Sequence, residues 1–249
     1  MDGLRFQATV ARDPEALARR ALQVLLDVAR TAIDARGVFR VAVPGGRTPR
    51  RLFELLAQSV EARSLQWEKV HVFWTDERYV PPDHADSNYR LAADTFLTSV
   101  PIPDRNVHRI PTDLPTPCDA VRSYEQTLRE VFLIQGTEVP SFDLMVLGLG
   151  TDGHTASLFP YSYAVVDAED WVCTVVRPEG PCRITLTARV LCAARRIMVL
   201  VSGHDKAAIL SQVRTCPPDP LRYPIHVLWT VLDKVTFLAD QGAAGASPS

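Results

Sequence analysis

Three times along this chain a compact apolar run ends in a turn that carries glycine, and that recurrence constrains the fold more than any other feature. "VFRVAV" (38–43) passes through "PGGRTP" into the helix-forming "RRLFELLAQSV"; "FDLMVLGLG" (142–150) ends in glycine; "RIMVLVSG" hands over to "HDKAAILSQV". A fourth run, "KVHVFW" (69–74), opens instead into the long polar loop "TDERYVPPDHADSNYR", and "SNYRLAADTFL" then reads as helix. Residues 13–36 predict a helix capped by Asp13, with Pro14 in its first turn, an apolar stripe through Leu17, Ala21, Val24, Leu25 and Val28, and Gly37 as its stop. "CDAVRSYEQTLREVFL" predicts a second amphipathic helix, and "WVCTVV" and "IHVLWTVL" read as further strands. Strands that alternate with helices make an α/β fold: a mostly parallel sheet with helices on both faces. Ligands in such sheets gather at the carboxyl ends of the strands, where all of these turns lie.

The chain is long enough for one large α/β domain: 249 residues, 47% hydrophobic and 22% charged. No internal repeat or linker divides it, so residues 1–240 are expected to form a single domain, followed by a small polar tail, 241–249, that frays. A net charge of −2 gives no global attraction to nucleic acid or anionic membrane. No apolar run approaches the ~18 residues of a membrane span, and the N-terminus lacks a basic start followed by an apolar stretch. The five cysteines form no C-x-x-C and cannot pair fully within one chain, which predicts reduced, mostly buried thiols in a cytoplasmic protein, monomeric or a small homo-oligomer.

Gly148, Gly150 and Gly153 spell G-x-G-x-x-G, the nicotinamide-cofactor fingerprint. That motif needs a substantial helix after its third glycine, aimed at a pyrophosphate. Here "HTASLFPYSYA" follows, and Pro160 ends any helix within two turns. Asp170 lies near the distance of the ribose-binding acid but precedes a strand instead of closing one. The glycines better serve a tight turn: Gly148 and Gly150 let the chain turn at the strand end, and Gly153 lets His154 project. A loop histidine bonded to backbone is the plainer account of His154. Glycine neighbours at a strand tip favour a presented imidazole, whose reference pKa of about 6.5 suits general-base work.

Three further constellations lie at strand ends. In "GGRTPRR" (45–51), Thr48 is expected to cap the following helix and Pro49 to fit its first position, while Gly45, Gly46, Arg47 and Thr48 together make a phosphate cradle. In "WTDERY" (74–79), Asp76 is placed to bond a sugar hydroxyl or orient a reacting group, and Arg78 to meet an anion; a surface salt bridge is the alternative. In "SGHDKAAIL" (202–210), Lys206 sits in a helix's first turn, where a cation is unfavourable unless an anion is near. Arg183 heads the β-rich run "RITL", and His204 reads as a solvent-facing turn residue. His84 and Asp86 lack the spacing of a metal site, and no G-x-S-x-G, H-E-x-x-H or cysteine-zinc pattern occurs.

Together these segments resemble the 6-phosphogluconolactonase family, in the wider group that includes glucosamine-6-phosphate deaminases. The likeness runs over roughly residues 38–210, through "VAVPGGRTPRRLFELL", "WEKVHVFWTDERYVPPDHADSNYR", "FDLMVLGLGTDGHTASLFP" and "PCRITLTARVLCAARRIMVLVSGHDKA". It implies a three-layer α/β/α fold with a Rossmann-like sheet. It also implies hydrolysis of 6-phosphoglucono-δ-lactone to 6-phosphogluconate in the oxidative pentose phosphate pathway, with neither metal nor cofactor. By this resemblance His154 is the catalytic histidine, Asp76 the active-site aspartate, and Gly45, Gly46, Thr48, Arg78, Arg183 and Lys206 the sugar-phosphate contacts. The chain departs from the family pattern at Pro44 and Arg47, which stand where small polar residues are common, and at Tyr161, which stands where a glycine follows "LFP". Amino-sugar phosphate deaminases of this group carry D-G-H-x-A-F-N-E-P, with glutamate five residues after the histidine; here that residue is Phe159. A non-catalytic sugar-phosphate sensor is the other alternative; it would keep the cradle and have no need of His154.

Overall fold

The computed structural model describes residues 6–166 and 169–245. Among these residues there are ten strands and eight α-helices. The strands are β1 (Ala8–Ala11), β2 (Phe39–Val43), β3 (Val70–Trp74), β4 (Asp76–Arg78), β5 (Val107–His108), β6 (Leu144–Gly148), β7 (Val172–Val175), β8 (Arg183–Leu186), β9 (Ile197–Val201) and β10 (Val235–Asp240). The helices are α1 (Pro14–Arg36), α2 (Arg47–Gln58), α3 (Val60–Arg63), α4 (Asn88–Thr95), α5 (Pro117–Phe132), α6 (Tyr163–Val166), α7 (Ala188–Ala193) and α8 (Ala207–Thr215).

Seven strands form one sheet in the order β1-β10-β9-β6-β2-β3-β5, and every pairing in it is parallel. Parallel sheets are covered on both faces, so their strands read as continuous apolar runs; β9, "IMVLV", is buried at every position. Alternate residues go to opposite layers. Val41, Val43 and Val72 pack with Leu25 of α1 and Leu56 of α2, while Phe73 meets Phe132 of α5 across 5.6 Å. The result is three layers, α/β/α. From β2 the chain runs one way, to β3 and β5; it returns to the other side of β2 with β6 and continues to β9 and β10. The β2/β6 boundary is therefore the point where strand order reverses, and the crevice beyond the strand ends opens there.

A second, antiparallel sheet, β4-β8-β7, stands beside the ends of the main strands. Its register sets Asp76 opposite Thr185 and Arg78 opposite Arg183. Because cross-strand partners share a face, these four side chains project together.

Local signals explain most boundaries. The Asp13 carboxylate accepts from the Ala16 N–H at 2.7 Å, and Gly37, at φ 74°, closes α1 by donating to the Ile33 carbonyl. Four expectations are corrected. "IHVLWTVL" is not a strand: Pro224–Lys234 forms a 3₁₀ segment interrupted at Val231, and the strand that follows is β10. A short apolar run bounded by proline has no periodicity to tell it from a buried strand. Thr48 does not cap α2; the cap position is Gly46, at φ 96°, and no side chain satisfies the first-turn N–H groups, while Pro49 is the third helical residue and not the first. Of the five cysteines only Cys173 is buried; Cys118 is exposed and the other three lie between. Residues 241–245 are also better anchored than a fraying tail, since Ala243 is buried and its N–H donates to Asp240 at 2.7 Å. Positions 246–249 lie outside the described residues. No helix among the described residues is long and apolar enough to cross a membrane.

Candidate active site

A cleft of about 560 Å³ opens above the ends of β2, β6 and β9 and beside the small sheet. Gly45, Gly46, Arg47 and Thr48 line it from the turn after β2, and Asp76 and Arg78 from β4. His154 enters from the loop after β6, Arg183 from β8 and Lys206 from the turn after β9. All nine candidate residues thus face one space, although they span 162 positions of sequence from Gly45 to Lys206.

The loop after β6 is built to hold the imidazole. His154 Nδ1 lies 2.5 Å from Asp152 Oδ1, and the same oxygen accepts the His154 backbone N–H at 3.1 Å. Burial works to raise the Asp152 pKa, but the hydrogen bonds and charge of His154 outweigh it and hold the carboxyl down at about 2. A carboxylate on Nδ1 fixes the tautomer with the proton there and leaves Nε2 as the acceptor. Among the described residues Nε2 has no protein partner. The ring also packs against Phe159, centroids 4.5 Å apart.

The three glycines divide the work differently from the sequence expectation. A Cβ on Gly150 would overlap Nδ1 and Cε1 of the His154 ring, so Gly150 makes the room in which the imidazole sits. Gly153 is needed for its backbone, at φ 87°, and for the approach of Tyr223. Gly148 has neither constraint: its φ is not positive and a Cβ there would meet nothing within 4 Å.

The small sheet supplies charge. Like charges directly opposite on neighbouring strands repel, yet Arg78 and Arg183 are partners in register. Arg78 donates to the Asp86 carbonyl at 2.8 Å, whereas Nε and Nη1 of Arg183 are buried with no partner among the described residues. Burial first, and then the nearby Arg78, push the Arg183 pKa down; Asp76 opposes them. Unsatisfied buried donors on a cation are costly and are relieved by an anion. The uncapped N-terminus of α2 adds N–H groups to the same space. Asp76, itself buried, accepts from Ser157 Oγ at 2.6 Å and from Thr75 Oγ1 at 3.2 Å, which fixes its carboxylate at the cleft wall.

Several positioning groups were not legible in sequence. Glu77, to which the sequence assigns no role, is buried and accepts from Ser87 Oγ and from the backbone N–H groups of Arg78, Asn88 and Tyr89. It ties the polar loop and the start of α4 to β4. Asn88 donates to the Asp76 carbonyl and packs where a Cβ of Gly45 would stand, so the cradle turn and α4 fit only with glycine there. Asp240 accepts from Ser202 Oγ and from the Gly203 N–H, holding the turn that carries Lys206. Arg177, which lines the cleft from the β7–β8 hairpin, also went unread. Each is a single polar residue whose partner is distant in sequence, so no local spacing marks it. His84 and Asp86 acquire no third donor: no group of three histidine, cysteine or acidic side chains suited to a metal occurs among the described residues.

Comparison with known proteins gives this geometry a lineage. Residues 12–237 match the family model described as glucosamine-6-phosphate isomerases/6-phosphogluconolactonase. The chain belongs to this family. A 6-phosphogluconolactonase of Synechocystis sp. is 38% identical over 242 residues, covering 97% of this chain and 99% of its own. The solved structure of a 6-phosphogluconolactonase from Trypanosoma cruzi superposes with a TM-score of 0.84 at 26% identity, covering 98% of each chain. A monomeric glucosamine-6-phosphate deaminase shares the fold at a TM-score of 0.81 with 17% identity, covering 97% of this chain and all of its own. Since one family fold carries both chemistries, side chains in the cleft must separate them.

Proposed function

We propose that this chain hydrolyses 6-phospho-D-glucono-1,5-lactone to 6-phospho-D-gluconate, the lactone-opening step of the oxidative pentose phosphate branch, with His154 as general base. The observation that carries the reading is an imidazole tied through Nδ1 to Asp152, with Nε2 unpartnered among the described residues, at a cleft where Arg183 holds buried donors that no described residue satisfies. The 6-phosphogluconolactonase names of close relatives support the same activity.

The phosphate docks on the 45–48 turn, helped by Lys206 and Arg183, and this remote anchor sets the lactone carbonyl near His154. Nε2 takes a proton from water as its oxygen attacks C1. Arg78 or a backbone N–H meets the oxyanion. Collapse of the tetrahedral intermediate breaks the C1–ring oxygen bond, and protonated His154 returns its proton to that oxygen. Asp76 accepts a hydroxyl of the sugar. General-base help of about 10²–10⁴ is sufficient for an ester that also opens unaided.

Phe159 favours lactone hydrolysis over amino-sugar deamination. Its ring lies on the imidazole, in the position where the deaminase motif has glutamate, and an apolar ring cannot relay a proton. The test is His154→Ala assayed on fresh lactone at controlled pH with the spontaneous rate subtracted. Enzymatic turnover is expected to vanish while 6-phosphogluconate still binds. Unchanged turnover would refute the mechanism and favour a sugar-phosphate sensor, and substantial ammonia release from glucosamine 6-phosphate by the wild type would favour the deaminase.

A further inference from the structure

We infer that Arg177 is a positioning residue for His154, acting through Phe159. The inference rests on the lactonase reading above. The guanidinium carbon of Arg177 stands 4.3 Å from the Phe159 ring centroid. The same ring also contacts the imidazole, at 4.5 Å between centroids and tilted by 44°. Phe159 thus touches both the cation and the base, and all three residues line the cleft. Asp152 holds His154 through Nδ1, and the Phe159 ring, itself in contact with Arg177, is the second restraint on the imidazole.

Arg177 has little else to hold it. It makes no ion pair with any described residue, although it is half-buried and cationic. It follows β7 directly, in the hairpin that leads to β8, where Val175 pairs with Arg183. The hairpin therefore delivers two arginines to the cleft with different surroundings. Arg183 has buried donors without partners and awaits an anion. Arg177 lies over an aromatic face, and that contact is the one its position satisfies. Val176, beside it, is 84% exposed, so the backbone here is not fixed by a buried side chain of its own. The cation–π contact links the turn of this hairpin to the His154 loop, which is also bonded to β8 through the Ser157 N–H and Thr185 Oγ1.

A base must be held within a fraction of an ångström of its productive position, and a displacement near 1 Å costs up to about 100-fold. Loosening one of two restraints on the ring is expected to lower kcat roughly tenfold, with KM and the 6-phosphogluconate Kd changed less than about twofold. The experiment compares wild type, Arg177→Met, Arg177→Lys, Phe159→Leu and the Arg177→Met/Phe159→Leu double variant in the lactone assay. It also follows the imidazole signals of histidine-labelled protein by NMR, with the His154 signal identified from His154→Gln.

Support consists of a kcat loss in Arg177→Met, recovery of most of it in Arg177→Lys, no added loss in the double variant over Phe159→Leu, and a shifted His154 signal in Arg177→Met. The inference is overturned if kcat is unchanged, if the loss lies in KM (a substrate contact instead), if the two substitutions add, or if the His154 signal does not move. A wild type that fails to open the lactone would defeat the functional reading, while the NMR arm would still decide whether Arg177 restrains the ring.

Discussion

Replacing Gly150 by alanine is a one-methyl test of how this site holds its base. The backbone there is not in the left-handed region, so alanine brings no dihedral strain. The new Cβ, however, would overlap Nδ1 and Cε1 of His154 and come within 2.7 Å of Asp152 Oδ1. Ordinary contact begins near 3.4 Å, so the ring must retreat by more than about 1 Å. That retreat breaks the 2.5 Å link to Asp152 and carries Nε2 away from the water it is proposed to activate. A base misplaced by about 1 Å loses on the order of 100-fold in kcat, equivalent to about 2.7 kcal/mol of barrier. Binding of 6-phosphogluconate should stay within about threefold, because the cradle and the arginines are untouched. Gly148→Ala is the internal control: same loop, same added methyl, nothing within 4 Å to strike. The assay is lactone hydrolysis at fixed pH with the spontaneous rate subtracted, alongside calorimetric titration of product. If Gly150→Ala turns over like wild type, or if Gly148→Ala loses as much, the steric account of the imidazole's position is wrong.

Other perturbations read out different parts of the structure. Arg183→Met should weaken 6-phosphogluconate binding by about 10–100-fold, the worth of one or two charge-assisted hydrogen bonds, without lowering stability, since it removes two buried unpartnered donors; an unchanged Kd in titration calorimetry would exclude Arg183 as an anion contact. His108, packed on Phe73 and bonded to His71 at 2.9 Å, has its pKa pushed from 6.5 down to about 4, first by burial and then by His71. The unfolded chain therefore binds more protons than the folded one between about pH 6.5 and 4. This contribution is present in full above that window and is lost as pH falls through it, by up to roughly 3 kcal/mol. Urea unfolding at pH 7.5 and 4.5 should show the loss in wild type and a smaller one in His108→Phe; equal losses would assign the effect elsewhere. Tyr161 is 75% exposed and held at φ 60°. Tyr161→Gly should relieve about 1 kcal/mol of left-handed strain and raise Tm by roughly 2–4 °C, and a lower Tm would mean that the ring makes contacts worth more than the strain.

Much of the architecture was legible because its causes are local. Apolar runs ending at Val43, Trp74, Gly148 and Val201 are strands since nothing else buries such runs on both sides, and Asp13 with Gly37 marked both ends of α1. The same locality put the informative turns at one sheet edge. It failed where an apolar run had two solutions, as at Pro224–Lys234, and where a helix starts without a side-chain cap, as at Gly46. It also had no access to partners distant in sequence. The bonds of Glu77 to the start of α4 and of Asp240 to the turn before Lys206 are such cases. Tyr161 lies between: the resemblance marks a glycine position, and the positive φ supplies the reason.

The sequence by itself determined the alternation of strands and helices, the turn at the tip of β6 and the identity of the histidine that turn presents, because these depend on residues within a few positions of one another. Tertiary structure alone decided that Arg78 and Arg183 face each other in register with donors to spare. It alone decided that Gly150, and not Gly153, makes room for the imidazole, and that Arg177 reaches the ring that packs on it. Such relations depend on which strands become neighbours, and only the folded sheet, reversing its order between β2 and β6, makes those choices.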